Sequence, residues 1–251
     1  MKKNTLILLL LTLPFIGYSQ TETQDESTSN TKVNSWNFEV TPYLFAAGME
    51  GDISFLSQSL PVDAEFSDLL DHLSFGAMLH GEANKGKWTI MTDVIYMKLK
   101  NDGEINGTLS SKAELEQVIF ELGGAYKFIE KGNFSIDVIA GARYFNLANS
   151  ITVQEVSLLD NSFNFTDPYV GIRYKTHCKK WKHSGRIDIG GFDVGSRYSW
   201  KFNLMAGYHV SKTIAIAVGY QGYGVDYRDN EKGFQYDIFT GGPVIGFNFN
   251  F

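Results

Sequence analysis

Twelve ionisable side chains sit inside segments that otherwise look like apolar walls. The acids are Glu82, Asp93, Glu121, Asp137, Asp167 and Asp188; the bases are Lys127, Arg143, Arg173, Lys175, Arg186 and Lys201. Equal numbers of the two signs, spread over many segments, support two kinds of chemistry. One is a mutually neutralising network of ion pairs and hydrogen bonds that fills an interior. The other is the lining of a channel that reads the charge of a passing solute. A narrow bore is filled by its own side chains, and that geometric argument favours the plug.

Other groupings suggest catalysis or metal binding more weakly. His72 and Ser74 in "DHLS", near Glu65, Asp68 and Asp71, supply the residue types of a serine hydrolase acting on lipid. A nucleophile also needs a positioned base and an oxyanion hole, and no glycine elbow accompanies this pair. "HVS" at 209–211 is worse placed, in a short turn. His80 and Glu82, two apart on a strand, share a face in the way metal ligands can, but such residues more often join a hydrogen-bond network. Cys178 is the sole cysteine, so neither an internal disulfide nor a multi-thiolate zinc site is available. No catalytic residue, metal or cofactor is expected. The net charge of −6 gives no footprint for nucleic acid.

The elements that carry these charges read as strands. "WTIMTDVIY" places Trp88, Ile90, Thr92, Val94 and Tyr96 on one face and Asp93 on the other. "VIFELGGAYKF", "FSIDVIAGARY" and "WKFNLMAGYHV" repeat the pattern, an apolar face opposed by one with Glu121, by one with Asp137 and Arg143, and by one with Lys201. A period of two marks a strand with one dry and one polar side. Aromatic residues gather at the ends of the apolar faces: Trp88 with Tyr96, Phe134 with Tyr144, Trp200 with Tyr208. Rings settle at the two interfaces of a bilayer, so this banding suits a wall in lipid.

Turn lengths alternate. "NKGK" (84–87), "EKGN" (130–133), "HCKKWKH" (177–183) and "VSKT" (210–213) are short and basic. The connections 49–72, 101–111, 147–163 and 227–233 are longer and acidic. Short periplasmic turns and long exterior loops have this pattern. Strands are expected near 36–48, 73–84, 87–99, 112–129, 133–146, 164–176, 184–194, 197–210, 213–226 and 235–251. The fold class is therefore all-β: an antiparallel transmembrane β-barrel of ten strands, or eight if "VGSRY" (194–198) is a bulge rather than a loop. "FSDLLDHL" inside 49–72 has the makings of a short helix capped by Ser67.

The first 19 residues carry two lysines, an apolar run from Leu6 to Ile16, then Gly17 and Ser19. They read as a signal peptide cleaved after Ser19. Residues 20–34 are polar and read as a flexible periplasmic leader; 35–251 are the barrel. The chain ends in "GFNFNF", with Phe247, Phe249 and Phe251 on the lipid side, the form of signal that barrel-assembly machinery reads.

The segments "WNFEVTPYLFAAGMEGDI", "FSDLLDHLSFGAMLHGE", "WTIMTDVIYMKL", "GRIDIGGFDVGSRYSWKFNLMAGYHVS" and "GGPVIGFNFNF", taken in order, resemble the small outer-membrane β-barrel proteins grouped with opacity-type and OmpW-like porins. The resemblance implies a secreted barrel of eight to ten strands and little about chemistry. The expected role is that of a porin-like or structural barrel in a Gram-negative cell envelope, with a charge-paired narrow lumen and acidic exterior loops. A narrow channel for small solutes is the alternative, and an outer-membrane lipid hydrolase a distant one. Expected partners are outer-membrane lipid, lipopolysaccharide and the assembly machinery, with any external ligand unspecified.

Overall fold

The computed structural model describes residues 35–251 apart from 56–57, 106–108, 154–155 and 232. The expected signal peptide and leader, 1–34, lie outside the described residues.

Twelve strands and one short helix follow in order. They are β1 (Asn37–Phe45), β2 (Gly48–Phe55), β3 (Gln58–Ala64), α1 (Phe66–Asp71), β4 (Leu73–Lys85), β5 (Trp88–Ile105), β6 (Leu109–Lys131), β7 (Phe134–Val153), β8 (Val156–Cys178), β9 (Trp181–Gly191), β10 (Tyr198–His209), β11 (Ile214–Asp229) and β12 (Phe234–Asn250). β1 and β4 to β12 pair antiparallel, each with the next, and β1 closes the ring on β12 from Glu39↔Asn250 to Phe45↔Val244. Closure satisfies the backbone groups of every spanning strand, the condition for crossing lipid with strands. Among the described residues no helix is long and apolar enough to cross a membrane.

The ring holds ten strands, not eight. "VGSRY" lies in a true connection, Phe192–Arg197, between β9 and β10. β2 prolongs the course of β1 along the far end of β12, from Gly48↔Gly241 to Phe55↔Phe234, and β3 folds back on β2. The segment expected as loop 49–72 is thus a hairpin followed by α1. That helix starts at Glu65, whose backbone N–H donates to the Asp68 carboxylate at 3.1 Å, and not at Ser67. Segments 101–105 and 109–111, and most of 147–163, prolong strands β5 to β8 instead of forming loops. Their ladders continue to Ile105↔Leu109 and Val153↔Val156.

The tight turns lie at the other end. Gly86 and Gly132, with φ of 59° and 57°, take the left-handed corner of two-residue turns, where glycine has no Cβ to clash. Ser211 braces the fourth turn by accepting the backbone N–H groups of Thr213 and Ile214.

The outer wall is a belt of exposed apolar side chains, among them Ile90, Leu122, Val138, Ile172, Ile187, Leu204 and Ile245. So continuous an apolar surface does not face water in a soluble protein. Ring pairs edge it: Trp88–Tyr126 at 4.8 Å and Trp181–Tyr208 at 5.0 Å near the short turns, Phe75–Tyr96 at 5.6 Å and Trp200–Phe239 at 5.5 Å further along. This is the girdle geometry of a lipid-facing barrel.

Candidate functional site: a layered lumen

The lumen is built in three layers, because each strand sends alternate residues inward. Charged residues occupy the middle. Glu121 of β6 is its hub. It accepts from Arg143 Nε at 2.9 Å and Lys201 Nζ at 2.8 Å on Oε1, and its Oε2 lies 2.9 Å from Arg186 Nη2. Asp188 completes the square, accepting from Arg143 Nη2 and Arg186 Nε, each at 2.7 Å. Both guanidinium groups lie over the Tyr169 ring, 5.2 and 5.0 Å from its centre, a cation–π arrangement. Glu121, Arg143, Asp188 and Lys201 are each no more than 3 % exposed.

A second cluster adjoins this square. Asp93 accepts from Tyr43 Oη at 2.7 Å and lies 3.3 Å from His80 Nδ1, and His80 Nε2 is 3.2 Å from Glu82. Glu82 accepts from Arg173 Nη1 at 2.7 Å and from Lys175, and Arg173 grips Asp137 through Nε and Nη2. Lys201, 3.7 Å from Asp93, joins the two clusters. Every barrel strand from β1 and β4 through β10 contributes. Isolated ions so deep would be costly, and mutual pairing is what makes their burial tolerable, although Asp137 Oδ1 and Arg143 Nη1 have no hydrogen-bond partner among the described residues.

The expected lumen residues fall into place unevenly. Glu82, Asp93, Glu121, Asp137, Arg143, Arg173, Lys175, Arg186, Asp188 and Lys201 meet in this network. Asp167 points inward and is fully buried, but it holds the β9–β10 connection, accepting from the Ser196 backbone N–H at 2.6 Å and hydroxyl at 2.7 Å. Lys127, opposite Asp137 in the ladder, does not join this network: it pairs with Glu130 at 2.7 Å beside a short turn, just before a register shift. Phe247 and Phe251 face outward as expected, and Phe249 is partly covered. His72 caps the end of α1 with its Nδ1 2.8 Å from the Asp68 carbonyl oxygen, and Ser74 sits in an exposed bulge of β4. Both nitrogens of His80 already face carboxylates, and among the described residues no group of His, Cys, Asp and Glu is arranged for a metal ion.

Sequence reasoning missed the layer towards the long hairpins, which is apolar. Phe45, Met49, Ile95, Ile119, Phe145, Phe165, Tyr223 and Ile238 are buried together there. Tyr227 stacks on Phe165 at 4.5 Å, and Phe163 packs on Phe234 at 4.7 Å. It also missed Glu39 and Lys182, which pair near the short-turn mouth. Between that mouth and the charged layer lies a cavity of about 140 Å³.

No family model matches the chain, and no curated protein matches it significantly. Solved structures do. The outer membrane protease OmpT from Escherichia coli is 11 % identical, with a TM-score of 0.53 over 89 % of this chain and 99 % of that one. The attachment invasion locus protein Ail of Yersinia pestis is 8 % identical, with a TM-score of 0.39 over 87 % and 99 %. A major outer membrane protein from Thermus thermophilus is 14 % identical, with a TM-score of 0.38 over 87 % and 100 %. At such identities the likeness speaks to fold and not to activity, and only the first is near enough to be used for that. A closed ring of ten antiparallel strands, an apolar belt outside and ions within give this chain the fold of the small outer-membrane β-barrel proteins.

Proposed function

We propose that the protein is an integral barrel of the outer membrane that works as a closed structural element and not as a conducting pore. The observation that carries this reading is the double seal of the lumen. The Glu121–Arg143–Arg186–Asp188–Lys201 layer ties opposite walls together, and the apolar layer beyond it leaves hydrated ions nothing to bind. A conducting filter needs sites that an ion can both enter and leave. Here every charge already has a partner.

The proposed orientation puts the short basic turns in the periplasm and the long hairpins outside, available for binding. Lipopolysaccharide is the proposed lipid contact at the outer edge, where Lys98 and Lys100 pair with Glu114 on the wall. The assembly machinery is the proposed reader of Phe247, Phe249 and Phe251. Export is proposed to use a signal peptide cut after Ser19, which N-terminal sequencing of the membrane-inserted protein tests.

Planar-bilayer recording tests the closed reading. Purified barrel should insert without discrete conductance steps; stable unitary currents in the wild type would overturn it. Catalysis is outside the proposal, since His72 is held by its own helix. A lipid digest beside Ser74→Ala should release no fatty acid, and release by the wild type alone would show a hydrolase.

A further inference from the structure

The cavity at the short-turn end borders both seals, with Arg186 and Lys201 of the charged layer and Tyr43 and Val244 of the apolar cluster in its lining. Its walls differ. On the side of β10 and β11 it is lined by Gly207, Ala215 and Ala217; on the side of β4 and β8 by Glu82, Arg173 and Lys175. The void exists because the inward positions of β10 and β11 are small here. A Cβ built on Gly207 meets nothing nearer than 3.8 Å, so no packing demand explains that glycine. An interior normally closes such space.

The donors around this space exceed their acceptors. Lys175 and Lys182 each spend one hydrogen bond, on Glu82 and Glu39, and an ammonium group has three to give. Gln221 lines the deep end, only 2 % exposed; its amide interacts with the Tyr43 hydroxyl, but its Nε2 completes no full hydrogen bond among the described residues. Ser184 and Asn203 also line the cavity, and no side-chain hydrogen bond engages either among the described residues. A buried donor whose hydrogen bonding is incomplete, beside an open space, can take an acceptor in that space.

A second, independent observation concerns the approach. Lys87, Lys131, Lys179, Lys180 and Lys212 stand exposed on the four turns that ring the mouth, and Glu130 is the only acid in those turns. Charges of one sign around a low-dielectric cleft focus the field and raise the local concentration of counter-ions.

We propose that this cavity is a binding site, reached from the short-turn end, for a small solute bearing an oxyanion, a phosphate or a carboxylate. The oxyanion is held between Lys175 and Lys182, and the solute's neutral remainder lies against Gly207, Ala215 and Ala217 with an acceptor turned to Gln221. A space of about 150 Å³ is enough for a six-membered ring, so the solute is small. This site goes beyond the closed-barrel reading, and its occupancy does not depend on whether ions cross the barrel.

The test is titration calorimetry on refolded full-length barrel in a zwitterionic detergent at low salt, with inorganic phosphate and with succinate as separate probes. Saturable binding of at least one probe is expected, and the probe that binds identifies the group. Gly207→Phe fills the cavity without touching a charge and should abolish binding. Lys182→Gln should weaken it about tenfold, the worth of one charge-assisted hydrogen bond. Lys212→Gln, on the rim alone, should change affinity less than either. Heat-modifiable migration reports folding, and Ser184→Leu replaces Gly207→Phe if that variant fails to fold. Absence of saturable heat with both probes, binding that survives the filled cavity, or equal loss in Lys212→Gln overturns the proposal.

Discussion

Arg143 and Glu121 meet on adjacent strands inside the barrel, Nε to Oε1 at 2.9 Å, with 1 % and 3 % of their surfaces exposed. The same guanidinium reaches Asp188 from the next edge. Removing Arg143 therefore leaves two carboxylates in a dry layer with one fewer cation. Arg143→Leu should lower unfolding stability by about 3–5 kcal/mol, the usual cost of breaking one half of a buried ion pair. Urea unfolding of barrel folded in detergent, followed by tryptophan fluorescence, measures it.

The two seals act in series, so loss of one should not open the lumen. Arg186→Ala removes a cation from the charged layer and leaves the rings of Phe145, Phe165 and Tyr223 in place. Bilayer recordings of this variant should stay as quiet as the wild type. Unitary steps in it would show that the charged layer alone blocks the bore.

Two neighbouring glycines should respond in opposite ways to the same added methyl. A Cβ at Gly141 would lie 2.4 Å from the Leu122 carbonyl oxygen and 2.6 Å from Tyr169 Oη. At Gly124, on the lipid side, the nearest atom is 3.8 Å away. Gly141→Ala should destabilise by about 1–3 kcal/mol, the range for overpacking, while Gly124→Ala should leave the unfolding midpoint within error.

The belt can be read by depth. Leu122→Arg, in mid-belt, should cost about 2–4 kcal/mol, and Trp181→Arg, at the short-turn edge, about 0–1 kcal/mol. Folding titrations into vesicles compare the two. Equal penalties would misplace the membrane along the strands.

Asp167 anchors the β9–β10 connection through both its oxygens. Asp167→Ala strands the Ser196 N–H and hydroxyl and should speed hydrogen exchange across 192–197, with little change in β5 to β7. Unchanged exchange in the connection would show that its backbone geometry holds without the carboxylate.

The barrel was legible because lipid and lumen impose a strict alternation. Asp93 between Thr92 and Val94, or Lys201 between Trp200 and Phe202, has no other reading in a wall so apolar. The apolar inner layer was hidden because the alternation reverses where a strand leaves the lipid. In "NFT" (164–166) the outward residues Asn164 and Thr166 are polar and the inward Phe165 is apolar, whereas a few residues on Val170 and Ile172 point out and Tyr169 and Arg173 point in. A pattern of rings every second residue does not say which side is wet. The strand extensions through 101–105 and 147–153 were read as loops because acids and amides are frequent in their sequence. Glu39 and Lys182 were missed because a single charge near a strand end has the look of a turn. Asp167 gave no sign of its separate task, because its partner Ser196 arrives from a connection whose shape no local pattern encodes.

The ring is fastened by its two most distant strands, with Phe38 and Phe251 exchanging backbone hydrogen bonds at 3.2 and 2.9 Å. Until β12 is in place, β1 and β11 each offer a raw edge. Acquisition of the native state is consequently all-or-nothing with respect to closure: a ring without β12 keeps two edges free to pair elsewhere.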